Sequence, residues 1–207
     1  MAILSTMKRT ERFIPALLIV LAAVSSLSGQ AVGTPAPPKE TVKILLDSVR
    51  ALATSPETAP DPAVIQRISA LMDIQGVSKE CLGAHWAKLS PKEQKAFVGL
   101  FQEVLEKVAY PKSATFFKDT KVEIGEVVEQ SPRARVATTV SHPKEGRVEV
   151  EYELGLVEGR WLIRDVILDG VSLVQDLRAQ MQKIIKEKSY EELKRKLLEK
   201  VKEQTSS

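Results

Sequence analysis

The sequence predicts an α+β domain in which helices cover one face of a curved, four-stranded antiparallel sheet. Two changes of period carry that prediction. Up to about residue 119 apolar residues recur at helical spacing, from about 120 to 168 they alternate, and after 172 the helical spacing returns. A third observation orients the sheet. Val148, Val150, Tyr152, Leu154 and Leu156 alternate with Arg147, Glu149, Glu151 and Glu153, so one face is apolar and the other charged.

The elements follow in order. Lys8, Arg9 and Arg12 precede the apolar run 13–27, which is of signal-peptide length and fits an export signal cleaved after Ala31, with an uncleaved anchor as the alternative. Residues 32–39 read as a Pro-rich linker and 40–205 as a single domain. Val42, Leu45, Leu46, Val49 and Leu52 mark a helix near 39–54. Asp61 before Pro62 is an N-cap followed by proline in the first turn, and Ile65, Ile68 and Leu71 continue that face. A further turn or two is expected near 74–86. Ser90-Pro-Lys-Glu93 is a capping box that starts a helix over 91–109, with Tyr110-Pro111 as its stop. Four strands joined by short turns then run to residue 168. Gly170 supplies a turn, and Ser172…Gln175 and Ser189…Glu192 head the two closing helices.

Composition excludes several functions. The mature chain would carry 27 Lys+Arg against 26 Asp+Glu, too balanced a charge to favour nucleic acid. Cys81 is the only cysteine, so no internal disulfide can form. His85 and His142 have no metal-ligand partners at useful spacing. A Cys81–His85 pair four residues apart is a weak echo of a nucleophile and base, and no phosphate loop or nucleophile elbow is present. The chain therefore reads as non-catalytic, without metal or cofactor. Aromatics are only 5% of the residues, so the interior is mainly aliphatic. Such walls suit acyl chains, although a filled core would use the same residues.

Three segments carry a resemblance: SPKEQKAFVGLFQEVLEKVAY (90–110), WLIRDVILDGVSLVQDLRAQM (161–181) and KSYEELKRKLLEKV (188–201). Trp161, Ile163, Asp165, Val166, Asp169, Gly170, Val171, Ser172 and Arg178 follow the pattern of the MlaC, or toluene-tolerance, family over roughly 40–203. Leu177 stands where the family usually has tyrosine, Asp169 replaces glutamate and Met181 replaces phenylalanine. The resemblance implies a cone of the NTF2-like or cystatin-like kind around a deep apolar pocket. It implies a periplasmic carrier of phospholipid in an ABC lipid transport system that maintains outer-membrane lipid asymmetry. The implied partners are an inner-membrane complex with an MCE-domain protein and an outer-membrane lipoprotein complex. A hopanoid-carrying subgroup shares the pattern.

The residues expected to line such a pocket are Phe97, Phe101, Leu105, Val136, Val150, Tyr152, Trp161, Ile163, Val174 and Met181. Arg178 interrupts the apolar stripe of Val174, Leu177, Met181 and Ile184. Asp165 shares strand parity with Trp161 and Ile163. The two residues therefore read as a buried pair pinning helix to sheet, or Arg178 as a contact to a lipid phosphate at the pocket mouth.

Overall fold

The computed structural model describes residues 36–53, 61–143 and 146–205. The expected export signal and the first half of the expected linker lie outside them, as does the break after the first helix, while Pro38 and Lys39, expected in the linker, already belong to the first helix. Helix α1 (Pro38–Ala53) presents Val42, Leu45, Leu46 and Val49 on one buried face. Helix α2 (Pro62–Ser69) starts as expected, the Asp61 carboxylate accepting from the Ala63 amide at 2.8 Å. Helix α3 (Ile74–Leu82) is capped by Asp73, which accepts from the Gly76 amide, and passes into a 3₁₀ segment from Gly83 to Lys88.

Helix α4 (Pro91–Val104) begins with the full capping box, Ser90 and Glu93 each satisfying the other's backbone amide. Tyr110-Pro111 does not stop it. The chain runs through a π turn at Leu105–Ala109 into α5 (Tyr110–Phe117). Proline cannot donate to the carbonyl four residues back, and its ring crowds that carbonyl. The wider turn relieves both problems, with the Tyr110 amide donating to Leu105 O.

The described residues form a meander of five strands in sequence order: β1 (Lys121–Gln130), β2 (Arg133–His142), β3 (Gly146–Val157), β4 (Arg160–Leu168) and β5 (Val171–Ser172). All neighbours are antiparallel. The sheet thus has one strand more than expected. Asp169 and Gly170, at φ of 46° and 84°, make a tight left-handed turn, and two residues pair back on β4 before the next helix begins. Glu158 and Gly159 make the same kind of turn between β3 and β4. Helices α6 (Leu173–Glu187) and α7 (Tyr190–Thr205) close the chain, with Ser172 and Ser189 accepting from the amides three residues on.

Two details of β4 position the site. Its outer side is covered at one point by a parallel bridge between Met72 and Ile163, with Asp73 N donating to Ile163 O and Ile163 N to Leu71 O. Further along it is covered by β5, and between the two lies a bulge. Glu153 faces Asp165 and Leu154 faces Ile163, so Arg164 is the extra residue. The bulge reverses the side-chain alternation. Trp161 and Ile163 are buried before it, while after it Val166 and Leu168 pack against the main core.

The apolar interior has two parts. The first joins α1, α2 and α5 to the sheet, through residues such as Leu46, Tyr110, Val136, Val140, Val150, Tyr152, Leu154, Trp161 and Ile163. The second joins α3, α4, α6 and α7 through Val77, Cys81, Leu82, Phe97, Phe101, Val174, Met181 and Leu193. Burying each large aliphatic or aromatic side chain contributes about 1.5–3 kcal/mol. Arg50 ties α1 to the start of the sheet by donating to Thr120 O at 3.2 Å.

Candidate functional site

A cavity of about 350 Å³ lies against both apolar clusters. Leu45, Leu46, Val49 and Ile68 come from the first helix pair, and Val150 and Tyr152 from β3. Ile74, Val77, Phe101, Leu105, Val174 and Leu177 belong to the other side, and Ala109, Tyr110, Phe116 and Phe117 follow the π turn. The walls are almost wholly apolar. The polar exceptions are Ser113, Tyr110 and the Arg164–Asp165 pair of residues at the bulge.

The π turn shapes this wall. Leu105 and Ala109 both line the cavity within it, and Tyr110 follows directly. The Tyr110 hydroxyl lies 3.2 Å from Ser69 Oγ, which donates to Glu106 at 3.0 Å. Gln102 donates to the same carboxylate at 2.7 Å. This polar set holds α2 against the turn. Burial pushes the Tyr110 phenol up to about 12 and raises the Tyr152 phenol as well.

Of the ten residues expected to line a pocket, Phe101, Leu105, Val150, Tyr152 and Val174 are in the cavity wall. Val136, Trp161 and Ile163 sit in the first cluster and Phe97 and Met181 in the second, packing behind the wall rather than forming it. Phe97 stacks on Phe101 with ring centroids 6.2 Å apart. Spacing within a helix or strand identified the buried face. It could not distinguish the end of that face that meets its neighbour from the end that stands clear of it.

The Asp165–Arg178 pair is not formed. Arg178 is exposed on α6 and makes no hydrogen bond or ion pair among the described residues. The carboxylate of Asp165 instead accepts from the Ser172 hydroxyl, from the Val174 amide at 3.1 Å and from the Val166 amide at 2.8 Å. The Arg164 bulge is the cause. It turns Asp165 away from the face of Trp161 and Ile163 and towards the first turn of α6, where unpaired amides attract a carboxylate. Asp165 still ties the last long strand to the helix behind it, through the helix end rather than through a cation. Gln175, the expected second half of the cap, reaches Glu80 at 2.7 Å.

Among the described residues no group of three His, Cys, Asp or Glu could hold a metal ion. No helix among them is long and apolar enough to cross a membrane. His85 packs on Tyr190, with ring centroids 4.8 Å apart. Cys81 is fully buried, and burial first, then the charge of Glu80, pushes its thiol from about 9 up to about 12. Iodoacetamide at pH 8 is expected to label the denatured chain readily and leave the native chain unmodified by mass. A thiol raised on folding contributes stability that is present below about pH 9 and is lost as the pH climbs towards about 12. Tyr110 acts in the same direction over a similar range.

The fold and cavity define a class of protein: an α+β domain whose helices and sheet enclose an apolar cavity between two cores. The chain belongs to the MlaC protein family, whose model matches residues 39–199. A phospholipid-binding protein from Ralstonia solanacearum, solved in complex with a phospholipid, has the same fold with a TM-score of 0.67. It is 19% identical, and the match covers 82% of this chain and 99% of that one. No curated protein matches the chain.

Proposed function

We propose that this protein is an exported phospholipid carrier that holds acyl chains in the cavity between its two cores. The carrying observation is the cavity itself. About 350 Å³ of almost wholly apolar space falls within the range of about 300–1,000 Å³ common to small-molecule sites, and its few polar groups are too sparse to match the many hydroxyls of a sugar or the phosphates of a nucleotide. Membership of the MlaC family supports the reading, as does the phospholipid held by the Ralstonia relative. The basic and apolar start of the sequence supports export through a signal cleaved after Ala31.

In this reading the work is transport and not chemistry. Each CH₂ taken from water contributes about 0.8 kcal/mol, so a diacyl lipid leaves for water very slowly. Release then requires a partner that favours an opened state. The proposed partners are an inner-membrane ABC complex with an MCE-domain protein and an outer-membrane lipoprotein complex. A hopanoid is the second candidate cargo, since the walls recognise apolar surface and not chain type.

Native mass spectrometry of the protein purified from cells tests the proposal. The expected spectrum contains an adduct with the mass of a phospholipid. A sterol-like mass would redirect the proposal to hopanoids. A bare protein that also refuses phospholipid from vesicles would support a filled interaction domain instead.

A further inference from the structure

Two tyrosine rings belong to the cavity wall, and their hydroxyls differ. That of Tyr110 lies 3.2 Å from Ser69 Oγ. Tyr152 is 2% exposed, and its hydroxyl makes no hydrogen bond among the described residues. Thr138 and Ser48, buried nearby, are paired: their hydroxyls donate to Val150 O at 2.8 Å and to Ile44 O at 2.7 Å. Ser78 Oγ also lacks a partner, but it is sealed within the packing of α3 and takes no part in the wall. The Tyr152 hydroxyl is not sealed in this way and faces the cavity. Leaving a buried donor without an acceptor costs about 1–3 kcal/mol. A phenylalanine would fill the same space without that cost.

This hydroxyl lies deep. Leu173, 39% exposed, is the most exposed residue of the wall, so the cavity opens beside the start of α6. Along β3, Val150 pairs with Leu168 next to the turn that leads there, and Tyr152 lies two residues further from it. Val136, its partner on β2, and Val150 are both fully buried. The charge that acts on the hydroxyl is Arg50, on α1. Helix α1 packs on α2, α5 and the sheet, whereas α6 packs on α3, α7 and β4. Tyr152 therefore points to the side of the cavity away from its opening. Burial raises the phenol, so it stays protonated and acts as a donor.

We infer that the Tyr152 hydroxyl donates to an oxygen set along the hydrocarbon of the bound lipid, so that the cavity selects hydroxylated acyl chains over plain ones. This rests on the carrier reading and narrows the class of lipid carried. A chain that enters beside Leu173 leaves its ester group at that end, and what reaches Tyr152 is the chain itself. A plain chain buries the donor unpaired. A hydroxyl on the chain needs a partner once it leaves water, and Tyr152 supplies one inside an otherwise apolar wall.

The test is a competition. Delipidated protein is incubated with vesicles containing two phosphatidylethanolamines that differ only in a mid-chain hydroxyl, and native mass spectrometry reads the ratio bound. The wild type is expected to prefer the hydroxylated lipid. Tyr152→Phe is expected to lower that preference about fivefold, the size of one net hydrogen bond, while uptake of the plain lipid persists. The delipidated variant should melt at or above the wild-type temperature, because it loses a group that has no partner in the protein. A lower melting temperature would reveal such a partner and overturn the inference. No preference in the wild type, or a ratio unchanged by Tyr152→Phe, overturns it and leaves the carrier reading intact. A stronger preference for a lipid hydroxylated beside its ester would put Tyr152 at the opening and overturn the assignment to the chain. Uptake of neither lipid by the wild type overturns both readings.

Discussion

A Leu177→Trp variant is expected to lose its co-purifying lipid while remaining folded. Leu177 is half-buried on α6 and reaches the cavity wall opposite Val150 and Tyr152. An indole at this position enters space that is otherwise unfilled. Overpacking a dense core costs about 1–3 kcal/mol, but a cavity of about 350 Å³ leaves room for the ring. The melting temperature of the delipidated variant should equal or exceed that of delipidated wild type, and the lipid adduct should fall below a tenth of the wild-type level. Full lipid loading in the variant would show that the cavity between the cores is not where the chains lie.

The second large effect concerns the helix-to-strand tie. Asp165→Ala is expected to destabilise the domain by about 2–4 kcal/mol, since it removes a helix cap and leaves partly buried donors without acceptors. For a domain of this size that corresponds to a fall in melting temperature of about 4–16 °C. Arg178→Ala, at an exposed position with no hydrogen bond or ion pair among the described residues, should stay within about 0.5 kcal/mol of wild type. Thermal denaturation of the two variants separates the observed arrangement from an Asp165–Arg178 pair. Equal losses in both would contradict the contacts described.

The sequence made most elements readable because local signals set their ends. Ser90 and Glu93, Asp61 before Pro62, and Ser172 and Ser189 mark helix starts that the structure reproduces. Strict alternation of apolar and charged residues made β3 visible, and the register with β2 follows from it. Other features depended on tertiary context. Asp169-Gly170 is a hairpin signature in its own right, and taking it as such would have disclosed β5. The π turn was hidden because a proline after an apolar helix ordinarily reads as a stop. The Arg164 bulge has no local signature, and missing it inverted the predicted orientation of Asp165. The five expected residues that line the cavity and the five that pack behind it belong to the same periodic stripes. What separates them is the gap between two cores, and no single stripe encodes that.

The division of the interior also bears on folding cooperativity. Ordinarily one continuous core makes each part of a domain depend on every other. Here the cavity touches both clusters, so part of their mutual interface is absent, and an occupant contacts α1, β3, α4 and α6 together. A molecule seated there acts as a keystone as well as a passenger. Filling the gap couples the melting of one cluster to that of the other, and emptying it lets them loosen separately. Slow amide exchange across both clusters in the loaded state, with protection divided between them in the empty one, is the corresponding signature.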